Sequence, residues 1–234
     1  MPCILHIDTS TNACSVALSE DTQIIYSDED TQGSNHNTLL GTFVDQALSF
    51  AENHAIPLDA IAISSGPGSY TGLRIGTSMA KGIAYALQIP LIAIPTPQVL
   101  ATPVLLYHDE VPDEALLCPM IDARRMEVYA ALYDRALHEV RPIGADIVTL
   151  DLFLPYLEKQ PVFFFGNGAE KCKDILSHPN AHFIDHILPL ARNLAPLAEK
   201  AFHQGQFVDT AYFEPYYLKE FVAGKQRNML RETR

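Results

Sequence analysis

The chain has 234 residues, of which 48% are hydrophobic, and its formal net charge is −12 at pH 7. This length fits one large domain or two lobes, and the acidic balance argues against an extensive nucleic-acid surface, which needs clustered cations. No apolar run reaches the roughly 18 residues of a membrane span, and the first residues lack the basic region of a secretory signal. We therefore expect a cytoplasmic protein that makes no membrane contact.

The cysteines show neither the spacing of a metal site nor a C-x-x-C motif. Reduced and mostly buried thiols are the expected state in an intracellular chain. The four residues are Cys3, Cys14, Cys118 and Cys172.

Strands dominate the first part of the chain. Residues 3–8, 13–19 and 23–27 read as three successive strands, and the first two form a hairpin around a polar turn. Two further short apolar strands are predicted at 60–63 and 91–94, with helical segments before and between them. The resulting order, β-β-β-α-β-α-β, predicts a mixed sheet covered by helices.

The first predicted helix is amphipathic and is capped by Ser34 or Asn35. Its apolar residues recur at helical spacing and form one face. That face comprises Leu39, Leu40, Phe43, Val44, Ala47, Leu48 and Ala51.

The most distinctive motif is the glycine-rich run 64–76, SSGPGSYTGLRIG, between a short strand and a helix. A turn that opens into a helix presents free backbone N–H groups, which suit an anion or a closely approaching partner. Gly66, Gly68 and Gly72 give the spacing G-x-G-x-x-x-G, which matches neither a dinucleotide fingerprint nor a P-loop. The motif is therefore not a generic phosphate site.

Two ridges run along the helix that follows this turn. Small residues recur every four positions at Gly72, Gly76, Ala80 and Ala84, and a small-residue ridge lets another backbone approach closely. The periodicity favours a helix that packs on its own sheet, and the alternative is a face that docks a second chain. A bulky apolar ridge lies beside the small one, at Ile75, Met79, Ile83 and Leu87.

The pattern of the first strands recurs later in the chain. An apolar strand ending at Asp122, a short turn and an alternating strand at 126–133 repeat the arrangement around Asp8. A helix, a strand and a Gly-x-Gly turn then follow in the same order. This repeat predicts two related lobes, at 1–102 and 103–234, joined through a proline-rich connector.

Two lobes that each begin strand, Asp, turn, strand have the layout of the actin, Hsp70 and sugar-kinase superfamily. The expected fold class is therefore α/β, a two-lobed actin-like ATPase (ASKHA, ribonuclease H-like) fold. In that layout Asp8 and Asp122 would face phosphate and metal, together with Ser10, Gly66 and Gly68. The turns after both aspartates lack glycines, so the alternative is that each aspartate only ends its strand.

Several motifs together resemble the TsaB (YeaZ) family over the full length of the chain. They are Ile7-Asp-Thr-Ser10, the glycine run 65–76, Ala80-Lys-Gly82, Ile121-Asp-Ala-Arg124 and Glu214-Pro-Tyr-Tyr-Leu218. The resemblance implies a non-catalytic subunit of the bacterial machinery that makes N6-threonylcarbamoyladenosine (t6A) at position 37 of tRNA.

The resemblance also implies partners. Family members pair with the catalytic paralogue TsaD, and the ATPase TsaE joins the assembly, so tRNA is reached only through the complex. A homodimer is expected when TsaD is absent. No cofactor is assigned to the chain itself, and ATP or ADP is expected, if anywhere, at the complex interface.

The family's partner surface involves the first long helix and the small-residue helix. Arg74, one turn into the second of these helices, could pair with a carboxylate of the partner. Carried over by position, the other interface candidates are His36, Leu40, Val44, Gly72, Gly76, Met79, Ala80 and Ile83.

The resemblance and the residues together predict that the chain is not an enzyme and holds no metal. In the catalytic paralogue a helix after the corresponding strand carries His-x-x-x-His, and here Thr96 and Leu100 occupy those places. His178, His182 and His186 are spaced by four, but Pro179 breaks a helix there, so they are not expected to converge on a metal.

Two other functions remain as alternatives. One is an autonomous enzyme of the actin superfamily, either peptidase-like or a small-molecule kinase. The other is a direct tRNA-binding module that would use Arg124-Arg125 and the basic tail from Lys225 to Arg234, against the unfavourable net charge.

Overall fold

A computed structural model describes residues 1–33 and 36–219, without the side chains of His36 and Asn37. The caps expected at Ser34 or Asn35 and the basic tail from Lys225 onward lie outside the described residues. Within these ranges, no helix combines the length and apolar character that crossing a membrane requires. All four cysteines are free and buried, which confirms the expected thiol state.

The first lobe is built on a five-stranded mixed sheet in the order β3-β2-β1-β4-β5. The first three strands are antiparallel neighbours, and β4 and β5 run parallel to β1. The predicted mixed sheet is confirmed. Its strands are β1 (Cys3–Asp8), β2 (Cys14–Glu20), β3 (Gln23–Asp30), β4 (Ala60–Ser64) and β5 (Leu91–Ile94).

Two long helices cover one face of this sheet. They are α1 (His36–Asn53) and α2 (Tyr70–Leu87), and they close a core that includes Leu5, Ile7 and Val16. Burial of these apolar side chains drives the packing, at roughly 1.5–3 kcal/mol for each large side chain. The N-cap of α2 is Ser69, whose side chain accepts a hydrogen bond from the amide of Gly72.

The second lobe repeats the topology of the first. Its sheet has the order β10-β9-β6-β7-β8, in which β6 has an antiparallel neighbour on one side and a parallel one on the other, as β1 does. The repeat predicted from the sequence is therefore present in the fold. The elements are β6 (Leu116–Asp122), β7 (Glu127–Tyr133), β8 (Glu139–Ile147), α4 (Leu150–Leu157), β9 (Val162–Phe165) and β10 (Ala181–Ile184).

Two helices connect the lobes. Helix α3 (Thr96–Tyr107) occupies the predicted connector, and α5 (Ala195–His203) returns to the first lobe, where Ala198 packs with Ile4 and Ile92. The first sheet is thus covered by helices on its second face as well. The division of the chain at 102/103 falls inside α3 and stays a prediction.

Candidate functional site

The glycine-rich turn between β4 and α2 packs against the first turn of the same lobe. A side chain at Gly72 would meet the carbonyl oxygen of Thr9, one at Gly76 would meet the hydroxyl of Thr9, and one at Gly68 would meet the carbonyl oxygen of Ser10. The amide of Ser69 also donates a 2.7 Å hydrogen bond to the Ser10 carbonyl. The glycines therefore serve a close approach within the chain.

Asp8 ends β1 and is fully buried. Its Oδ1 accepts hydrogen bonds from the amide and the hydroxyl of Ser10, both at 2.9 Å, and its Oδ2 accepts one from the hydroxyl of Ser64. Burial raises the pKa of Asp8 to about 6, and the hydrogen bonds partly oppose that rise. Both carboxylate oxygens of Asp8 thus accept hydrogen bonds from residues of the first lobe.

Asp122 ends β6 at the equivalent place in the second lobe, but it is exposed. Its carboxylate pairs with the ammonium of Lys171, which also donates 2.7 Å hydrogen bonds to the carbonyls of Arg125 and Glu127. The amide of Asp122 donates to the side-chain oxygen of Asn167 at 3.0 Å. These contacts fasten the β6–β7 turn to the turn after β9.

A polar cleft of about 370 Å³ lies between the two lobes. Ser10, Gly68 and Asp122 line it, but Asp8 does not, and the segment from Tyr216 to Lys219 forms part of its wall. Gly66, further along the turn, lies against the Tyr216 carbonyl. Asp8 and the glycine turn are thus engaged by the chain itself, whereas Asp122 is exposed in the cleft and its carboxylate contacts with the described residues involve only Oδ1. A role of these residues toward phosphate stays a prediction.

Five of the nine interface candidates are buried in the isolated chain. Their side chains or Cα atoms lie against the sheet and turn of the first lobe, and their part in a partner interface stays a prediction. The favoured interpretation of the small-residue ridge, packing on its own sheet, is confirmed. The buried candidates are Leu40, Val44, Gly72, Gly76 and Ala80.

The remaining candidates have different positions. Met79 and Ile83 are half-buried, and Arg74 is exposed with its guanidinium 5.5 Å from the ring centroid of Tyr70. The backbone of His36 begins α1, and its side chain lies outside the described part of the chain. No contact of this structure tests a partner role for these residues, which stays a prediction.

An apolar groove of about 620 Å³ runs between the end of α1 and the second half of α2. Met79 and Ile83 lie in it, and Gly82 lines it with open space where a side chain would point. Leu87 lines the same groove and remains 49% exposed. The sequence showed the bulky ridge of α2 but not the groove, because the other wall comes from Leu48, Ala51, Ile56 and Leu58.

The spaced histidines do not form a helical face. His182 lies in the strand β10, where its ring stacks on Phe163 with centroids 4.8 Å apart, while His178 and His186 flank that strand. Among residues 1–33 and 36–219, no three His, Cys, Asp or Glu side chains come together as a metal site would require.

Two related five-stranded sheets with a cleft between them define a two-lobed actin-like α/β protein. A family model described as TsaD, tRNA N6-adenosine threonylcarbamoyltransferase, matches residues 29–232. The tRNA threonylcarbamoyladenosine biosynthesis protein TsaB of Bacillus subtilis is 31% identical over 74% of this chain and 74% of its own length. The chain belongs to the TsaB (YeaZ) family, within the wider group that the TsaD model describes.

Further similarities agree with this assignment. TsaB of Escherichia coli is 28% identical over 95% of this chain and 97% of its own length. The structure of YeaZ from Pseudomonas aeruginosa aligns with a TM-score of 0.73 at 28% identity, covering 93% of this chain and all of that one. An inorganic polyphosphate/ATP-glucomannokinase from Arthrobacter has a TM-score of 0.50 at 9% identity over 87% of this chain and all of its own, which shows the shared fold alone.

Proposed function

We propose that this chain is a non-catalytic subunit required for t6A formation at position 37 of tRNA, and that it binds and organises the catalytic paralogue TsaD. Its TsaB relatives are named for tRNA threonylcarbamoyladenosine biosynthesis, which supports the pathway. The single observation that carries the binding role is the apolar groove between α1 and α2.

The groove has the properties of a protein-docking surface. It is lined mostly by aliphatic side chains, and exposed apolar patches on soluble proteins mark interaction sites. Gly82 lets a partner side chain or helix come close to the α2 backbone, since nothing within 4 Å would contact a Cβ there. Leu87 and Tyr85, the latter 74% exposed, continue the surface at the end of α2.

The contacts of Asp8, at the end of β1, support a role of the chain without catalysis by this residue. A catalytic carboxylate needs a free oxygen within reach of substrate. Asp8 is buried with both oxygens accepting hydrogen bonds, and Asp122 is paired with Lys171. The alternative of an autonomous peptidase or small-molecule kinase would require Asp8 to be released from these hydrogen bonds, or would rest on Asp122, whose contacts with Lys171 and the amide of Arg124 involve only Oδ1.

The same proposal assigns the remaining partners. TsaE joins the complex of this chain with TsaD, tRNA is reached through that complex, and any ATP or ADP lies at a subunit interface. In the absence of TsaD, two copies of this chain would pair through the same groove. The whole assembly would act in the cytoplasm.

The first test is threonylcarbamoyl transfer to tRNA in a reconstituted mixture, with this chain present or omitted. We expect transfer to collapse on omission, while the chain alone transfers nothing. Unchanged transfer without the chain would contradict the proposal, and turnover by the isolated chain that is lost in Asp8→Ala would favour the autonomous enzyme.

A matched pair of variants tests the groove itself. Gly82→Trp fills the groove, whereas Gly82→Ala adds only a methyl group at the same exposed helical position. We expect Gly82→Trp to weaken TsaD binding by about fivefold to 150-fold, measured by titration calorimetry, because overpacking a contact costs about 1–3 kcal/mol. If both variants bind TsaD as tightly as the native chain does, with native circular dichroism, the interface lies elsewhere.

A further inference from the structure

The segment 208–219, which we call the C-terminal strap, runs from one lobe to the other. At its start, the amide of Val208 donates a 2.9 Å hydrogen bond to the carbonyl of Leu91 at the edge of the first sheet. At its end, the ammonium of Lys219 pairs with the carboxylate of Glu127 on β7 of the second lobe. A single short segment is therefore anchored on both lobes.

Lys81 fastens the middle of the strap to α2. Its ammonium donates hydrogen bonds to the carbonyls of Ala211 and Phe213, both at 3.0 Å, and the Phe213 ring packs against the core of the first lobe. Hydrogen bonds from a charged donor contribute more than neutral ones. This gives a structural role to the lysine of the Ala80-Lys-Gly82 motif.

The glycine-rich turn receives the strap directly. The amide of Tyr216 donates a 2.7 Å hydrogen bond to the carbonyl of Ser65, and the Tyr216 carbonyl lies 2.6 Å from where a Cβ of Gly66 would be. Gly66 has φ +103°, a conformation that side-chain-bearing residues rarely adopt. The next ring, Tyr217, lies 4.8 Å from the ring of Tyr70 at the start of α2.

We propose that the C-terminal strap is an internal clasp, which holds the two lobes in one arrangement and occupies the glycine turn and the cleft wall in place of a ligand. The strap binds the glycine-rich turn of the first lobe, and Lys81 holds it there through hydrogen bonds. The Lys219–Glu127 ion pair joins the end of the strap to the second lobe. The proposal concerns the isolated chain, so it stands or falls independently of TsaD binding.

The test uses full-length variants that remove one ammonium each. Lys81→Met frees the first-lobe fastening, Lys219→Met frees the second-lobe attachment, and Lys200→Met on the exposed side of α5 is the matched control. Spin labels on Asp45→Cys in α1 and Lys159→Cys after α4 report the distance between the lobes by pulsed electron resonance. Both positions are exposed, and the four native cysteines are buried and so are protected from the label.

We expect a single narrow distance distribution for the native chain and the control, and a distribution about twice as broad for Lys219→Met. In Lys81→Met, hydrogen exchange at the Tyr216 amide should accelerate about tenfold, which corresponds to the loss of roughly 1.4 kcal/mol of local stability. In Lys219→Met it should change less than threefold, because the anchors on the first lobe remain.

Two results would overturn the proposal. If both variants keep the native distance distribution and the native exchange rate at the Tyr216 amide, the contacts of Lys81 and Lys219 neither stabilise the strap nor fix the arrangement of the lobes. If exchange accelerates while the distance between the lobes is unchanged, the strap is fastened but does not set the arrangement of the lobes.

Discussion

The hydroxyl of Thr9 donates a 2.8 Å hydrogen bond to the carbonyl oxygen of Gly72, in the buried interior of the first lobe. Thr9 follows β1 and Gly72 lies in the first turn of α2, so the bond joins the strand end to the helix that covers it. The absence of a side chain at Gly72 is what lets the two backbones approach, because a Cβ there would meet the Thr9 carbonyl. The small-residue ridge is therefore a feature of the core of this lobe.

This relationship predicts opposite effects for two glycine substitutions in the same helix. Gly72→Ala should destabilise the chain by about 2 kcal/mol, since the added methyl forces the Thr9 turn to move. Gly82→Ala meets only open space and should stabilise the chain by up to about 1 kcal/mol through helix propensity. Urea denaturation followed by circular dichroism measures both, and a Gly72→Ala chain as stable as the native one would contradict the packing argument.

The raised pKa of Asp8 predicts that the free energy of unfolding depends on pH, because ionisation of this buried carboxyl is unfavourable in the folded chain. Its ordinary pKa of 3.8 is raised to about 6 in the folded chain, so between these values the folded state binds more protons than the unfolded state. Stability contributed by this group therefore falls as pH rises from about 4 to about 6, by up to roughly 3 kcal/mol. Asp8→Asn, which cannot ionise, should lack this part of the profile, and the difference between the two chains in urea titrations at several pH values measures it.

The same variant separates structure from catalysis. If Asp8 only ends its strand and binds Ser10 and Ser64, Asp8→Asn should support threonylcarbamoyl transfer in the reconstituted mixture within about twofold of the native chain. A loss of 10²–10⁴-fold, as expected for removal of a general acid or base, would show that Asp8 takes part in the reaction.

The sequence predicted the succession of strands and helices along the chain better than it predicted which residues lie on the surface of the lobes. Alternation and apolar runs identified β1, β2 and β4, and the recurrence around Asp122 identified the second lobe, because these patterns are local. The periodicity favoured packing of the small-residue ridge on the chain's own sheet, but it could not identify Thr9 as the neighbour of Gly72 and Gly76, since Thr9 is far away in the chain. Spacing indicates that a close approach occurs, and only the fold shows its partner.

The strap was missed for the same reason. Lys81 is a half-buried lysine on a helix, and nothing near it in sequence indicates that it binds the carbonyls of Ala211 and Phe213. Similarly, the sequence shows Asp8 only as a carboxylate at the end of a strand. The fold shows that the parallel neighbour β4 places the hydroxyl of Ser64 within hydrogen-bond distance of it. The glycines and charged residues of a motif therefore predicted that these positions make close contacts. They did not show whether each contact is made with a ligand or with another part of the chain.

His6, on the same strand as Asp8, predicts a pH dependence of the opposite sign. It is fully buried, its Nε2 lies 2.7 Å from the hydroxyl of Ser19, and burial lowers its pKa from 6.5 to about 3. The unfolded chain binds the additional proton between these values, so this contribution to stability is lost as pH falls from about 6.5 towards 3, by roughly 4–5 kcal/mol in total.

A paired substitution tests the His6 contribution without leaving an unmatched polar group. In His6→Leu with Ser19→Ala both hydrogen-bonding partners are replaced by apolar side chains, which can be nearly neutral at pH 7, whereas Ser19→Ala alone keeps the titrating ring. Between about pH 4 and 6 the native chain has two opposing contributions, from His6 and Asp8, and the double variant keeps only that of Asp8. We therefore expect the free energy of unfolding of the double variant, relative to Ser19→Ala, to rise steadily on acidification below pH 6.5. Parallel profiles of the two variants would show that His6 is protonated equally in the folded and unfolded chains.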